Sequence, residues 1–70
     1  MVSRAQAQKK IEQQRKAVRD HIKKWRRDRG TIHEQKALKT IINAQTQIAK
    51  WKSRADAEIP ASMEDTWKPN

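Results

Sequence analysis

The stretch WRRDRGTIHEQKA, residues 25–37, decides the fold. Gly30 is the chain's single glycine. It stands where a helix C-terminus needs a residue tolerant of positive φ, and the Lys and Arg residues before it suit the negative end of a helix dipole. Thr31, with Glu34 three residues on, has the form of a capping box that opens a new helix. A helix ending near residue 29 and another starting near 32 are joined by a turn at 30–31, so the two must be antiparallel neighbours.

Working outward from Thr31, inward-facing positions of the two halves pair so that their numbers sum to 62. Trp25 meets Ala37, Val18 meets Ala44 and Ile11 meets Trp51. His21 with Ile41, Gln14 with Ile48 and Ala7 with Ala55 complete a seam of three-then-four spacing. A large residue generally faces a small one, which lets layers interdigitate. Ser3 and Gln6 form a second potential capping box, and no Gly or Pro interrupts residues 4–29. At the far end Pro60 cannot continue a helix. The expectation is an all-α antiparallel helical hairpin over residues 1–58, with helix one at about 4–29 and helix two at about 32–58. Residues 59–70, IPASMEDTWKPN, contain both prolines and read as a flexible tail.

A two-helix hairpin buries one stripe of each helix. Ile22, Leu38 and Ile42 form a second apolar strip beside the seam, so a surface for another copy or a partner protein is expected, most simply a homodimer built as a four-helix bundle. Trp67, a large aromatic outside both helices, is a candidate to dock back on the bundle, to anchor the tail on a partner or to stand exposed. His21 and His33 lack the partners of a metal site, the chain has no cysteine, and paired carboxylates such as Glu64 and Asp65 occur in the tail, where nothing would hold them in productive geometry. The sequence therefore reads as non-enzymatic and free of cofactors. No apolar run nears the roughly 20 residues of a membrane span, so no membrane partner and a cytoplasmic location are expected.

Charge points to the partner class. Seventeen Lys and Arg stand against eight Asp and Glu, a formal charge of +9, and helix one carries eleven of the basic residues against three acidic ones. If Ile11, Val18 and Trp25 face inward, Lys9, Lys16 and Lys23 recur at seven-residue steps on the opposite side, with Arg19, Arg26 and Arg27 beside them. Such a ridge suits phosphates, with arginine able to grip two oxygens at once. Residues 15–30, RKAVRDHIKKWRRDRG, resemble in composition the arginine-rich helical peptides that bind RNA hairpins, and the layout resembles that of plasmid RNA-binding hairpins. Both resemblances imply nucleic acid, DNA or RNA, as partner. The alternative is a protein-interaction module, an adaptor, assembly factor or inhibitor, that presents the hairpin and Trp67 to an acidic protein.

Overall fold

A computed structural model describes residues 2–69 of the protein. Helix α1 spans Arg4–Arg27, α2 spans His33–Arg54, and a single turn, α3, spans Met63–Thr66. The two long helices pack along their length as a hairpin in a body of 42 × 16 × 14 Å. No helix among the described residues is long and apolar enough to cross a membrane.

Local chemistry sets each boundary. Ser3 caps α1: its Oγ accepts the Gln6 N–H at 3.3 Å and meets the Gln6 side chain at 3.3 Å. At the other end α1 stops at Arg27, two residues before the expected limit. Gly30 takes φ +83°, and Thr31 turns both its N–H and its hydroxyl onto the carbonyl of Asp28, at 3.0 and 2.6 Å. Thr31 and Glu34 both tie the connection, but not as a regular box. Thr31 Oγ1 accepts the His33 N–H, the Glu34 carboxylate takes the N–H of Gly30, and Ile32 occupies the cap position without a side-chain bond.

Helix α2 ends at Arg54, four residues short of the expected 58, and the cause is non-local. The N–H of Val2 donates to the Arg54 carbonyl and the N–H of Asp56 donates to the Val2 carbonyl, each at 2.9 Å. Ala55 is thereby pulled into extended geometry, with ψ 148°. A main-chain segment from the start of the protein takes the bonds that a further helical turn would have used.

The seam forms as its spacing implies. Ala7, Ile11, Val18 and Trp25 are buried on α1 and Ala37, Ile41, Ala44 and Ile48 on α2, with Gln14, His21, Trp51 and Ala55 half-buried among them. His21 Nδ1 lies 2.8 Å from the Ala17 carbonyl, an acceptor only, so that nitrogen carries the proton.

The tail lies against the hairpin. Residues 59–67 double back along one side of the hairpin, so that Ile59 joins the core and Trp67 packs against it. Ile22, expected on an outer strip, is 5 % exposed inside that core, and Leu38 is half-buried against it; Ile42 alone of the three stays mostly exposed. A two-helix hairpin cannot hide a second apolar face, and here the chain's own end covers most of it.

Nothing stands within 4 Å of a Cβ placed on Gly30, so substitution there meets only backbone strain. Gly30→Ala should destabilise the fold by about 1 kcal/mol in urea unfolding, and Gly30→Asn by less. An unchanged midpoint for the alanine variant would show that the turn relaxes out of the left-handed region.

Candidate nucleic-acid interface

Lys9, Lys16 and Lys23 are exposed, each two residues before a buried seam residue, Ile11, Val18 or Trp25. Two residues are about 200° of helix rotation, so the three lysines stand on the side of α1 turned away from α2. Successive ammonium groups are separated by roughly 10.5 Å of helix rise. Among the described residues none of the three has a carboxylate within ion-pair distance. Arg26 is exposed and equally unpaired among those residues, while Arg27 lies beside Asp28 at 3.4 Å, mostly in solvent.

Arg19 behaves differently from the rest of the expected ridge. Its Nη1 donates to Glu64 Oε1 at 2.8 Å, with the Arg19 side chain about half in water. One helical turn away, Arg15 makes a forked contact with Asp65, Nε to Oδ1 at 3.0 Å and Nη2 to Oδ2 at 2.9 Å. The same Nη2 reaches the Pro60 carbonyl, and Nη1 bonds Glu12. From α2, Lys52 Nζ donates to Asp65 Oδ2 at 2.6 Å. Gln45, on the same face of α2, gives its amide hydrogens to the carbonyls of Glu64 and Trp67, at 3.1 and 2.8 Å.

These contacts hold α3 in place. Ser62 and Asp65 form a capping box around the single turn, and Ser62 Oγ also bonds Glu64. Beyond the turn, Trp67 meets Trp25 edge to face, ring centres 5.2 Å apart at 81°. The Arg29 guanidinium sits 5.0 Å from the centre of the Trp25 ring, so a cation caps the aromatic pair. Trp25 Nε1 is buried with no hydrogen-bond partner among the described residues.

Ionisation follows the geometry. The hydrogen bond from Arg19, aided by that from Ser62, lowers the Glu64 carboxyl to about 2. Burial pushes the Asp65 carboxyl up, but the hydrogen bonds from Arg15, Lys52 and the Ser62 N–H outweigh it and hold Asp65 well below the usual carboxylate range. Asp65 in turn raises Arg15 above its ordinary value, against the opposing effect of burial. Asp65 and Arg15 side chains are only 7 % and 12 % exposed. Yet the body is 14–16 Å across, so water lies close on every side and screens the pair more than in a deep interior.

Sequence reading placed Lys9, Lys16, Lys23, Arg26 and Arg27 on an open face, where they lie. It placed Arg19 there too, and Arg19 is held by the tail. It assigns no contact to Arg15 or Lys52, and sets aside Glu64 and Asp65 as carboxylates that nothing would hold in productive geometry. The signal was present in SMED, residues 62–65, whose first and last residues have capping-box form, and in Leu38, Gln45 and Lys52, which share one face of α2 at seven-residue steps. Among the described residues no group of His, Cys, Asp and Glu gathers as a metal site. Comparison with protein-family models, curated proteins and solved structures finds no match.

The pH dependence of tail docking follows from the two carboxyls. Both are lowered on folding, from ordinary values of 4.5 for Glu64 and 3.8 for Asp65, so their contribution is complete above about 4.5 and is lost as pH falls toward 2. Near-ultraviolet circular dichroism from the Trp25–Trp67 pair should be constant between pH 7 and 5 and collapse below 4, ahead of the far-ultraviolet helix signal. Asp65→Asn should cost about 1–3 kcal/mol at pH 7, because it strands Arg15 and Lys52 without their shared partner. Loss of the aromatic signal between pH 7 and 5 would contradict the assignment.

Proposed function

We propose that this chain is a small non-enzymatic nucleic-acid-binding protein that lays the outer face of α1 along a phosphate backbone. The observation that carries the reading is the row Lys9, Lys16, Lys23: exposed, regularly spaced, in no ion pair among the described residues although Glu12 and Asp20 stand three or four residues away on the same helix, and backed by the buried seam. Each step of roughly 10.5 Å corresponds to about three base-pair rises of a duplex. A solvated helix face needs charge for solubility, but eleven basic residues against three acidic ones on the first half of the chain exceed that need. Arg26 and Arg27 extend the row toward the hairpin tip. Contacts of this kind follow backbone charge, so the reading carries weak sequence preference and a cytoplasmic site of action.

The second reading, a protein-interaction module, is favoured by Ile42 and Met63, both 58 % exposed, and by Ile32 at the tip, 87 % exposed. Self-association into a four-helix bundle belongs with it. With Ile22 withdrawn beneath the tail, such a dimer would have Ile42 and the outer edge of Leu38 to bury, a narrower stripe than the sequence promised.

Affinity for a short DNA duplex and an RNA hairpin of equal phosphate number, measured across a salt series, separates the two readings. With five cations engaged, log affinity should fall with log salt at a slope near −4.5, and changing Lys9, Lys16 and Lys23 together to Gln should flatten it by about 2.7. An unaltered slope removes the ridge as the interface. Retention of a protein partner after nuclease digestion, with no affinity for either polynucleotide, would favour the second reading.

A further inference from the structure

The tail contacts fall on the residues that the ridge lacks. Lys16, Arg19 and Lys23 are spaced three and four apart on α1, which makes them surface neighbours, and Arg15 lies one turn from Arg19. Arg19 therefore adjoins the open lysines and Arg15 follows one turn along, while Lys52 of α2 joins them through Asp65; all three bond Glu64 or Asp65. We propose that Arg15, Arg19 and Lys52 form a second phosphate-binding patch, which the chain's own acidic turn occupies until a nucleic-acid backbone displaces it. This rests on the reading of the ridge as a nucleic-acid surface and adds its regulation.

Three features support the exchange. Arg15 offers Nε and Nη2 to the two oxygens of one carboxylate, the same two-oxygen edge that a phosphodiester presents. The acidic turn is four residues long and has no helical stability of its own, so it stays only through its anchors. In the closed state, moreover, Trp25 Nε1, on the ring that Trp67 packs against, is buried without a hydrogen-bond partner among the described residues, a donor left unsatisfied. Against this, tethering keeps the local concentration of the acidic segment high, so a freely diffusing anion of one or two charges would not compete. A polymer already held by Lys9, Lys16 and Lys23 competes on equal terms.

Opening begins at the Trp67 end. Ile59, buried at the base of the tail, stays with the core while Trp67, Asp65 and Glu64 peel away. Glu12 remains on Arg15, so the opened patch adds about two uncompensated positive charges to the ridge.

The test uses the full chain and compares wild type with Trp67→Ala, which loosens the tail without changing charge. A labelled short duplex is titrated by fluorescence anisotropy across a salt series, with helicity followed by circular dichroism. Trp67→Ala is expected to bind roughly tenfold tighter, with a salt slope steeper by about 1.8, and Arg15→Gln in that background should remove about half of the added slope. Equal affinity and slope for wild type and Trp67→Ala, with the hairpin intact, would overturn the proposal. A measurement on the wild type alone stands apart from any loss of folding in the variant: the Trp67 indole N–H resonance should move to a solvent-exposed position as duplex is added. Saturation with an unmoved Trp67 resonance would equally overturn it. Absence of duplex binding by both wild type and Trp67→Ala would instead sink the underlying nucleic-acid reading, and the latch with it.

Discussion

Two helices side by side can each bury one stripe, and every further apolar residue must find cover elsewhere. That constraint shapes this protein. The seam from Ala7 to Trp25 and from Ala37 to Trp51 uses the stripe each helix can hide, which leaves Ile22 and Leu38 without shelter. The chain supplies the cover from its own C-terminal segment, with Ile59 at one end and Trp67 at the other. A third layer thus lies over part of the face beside the seam.

Apolar cover alone would hold such a segment loosely. Its acidic turn fixes it, because the carboxylates of Glu64 and Asp65 meet cations from both helices. Asp65 is the central group: Arg15 from α1, Lys52 from α2 and the N–H of Ser62 converge on it, so one side chain bridges all three helical elements. Electrostatics is thereby divided between the faces of α1. Toward the tail its arginines are answered, while Lys9, Lys16 and Lys23, on the adjoining side turned away from α2, make no ion pair among the described residues.

The hairpin was legible because its determinants are local or periodic. Gly30, Thr31 and Glu34 mark a turn by chemistry confined to five residues, and the seam repeats often enough that single substitutions such as Gln14 or His21 do not obscure it. The exact ends were less legible. Arg54 terminates α2 because Val2, more than fifty residues away in sequence, bonds the carbonyl that would have carried the helix on. The docked tail was illegible for a related reason. Prolines at 60 and 69 and a mixed polar composition describe a segment with no stability of its own, and its order arises from partners scattered over Arg15, Arg19, Gln45 and Lys52. Only the pairing of those residues with SMED, across 13 to 50 positions of chain, would have shown it.

The bonds between Val2 and the residues after α2 tie the segment before α1 to the point where the returning segment leaves the hairpin. Asp56 marks that departure, and its direction is fixed by a main-chain partner just ahead of α1. A change upstream of Ser3 that draws Val2 aside, whether an added sequence or a trimmed one, therefore alters the angle at which the acidic turn approaches the helices. The pairing of Arg15, Arg19 and Lys52 with the acidic turn is thus open to influence from a site that touches none of them.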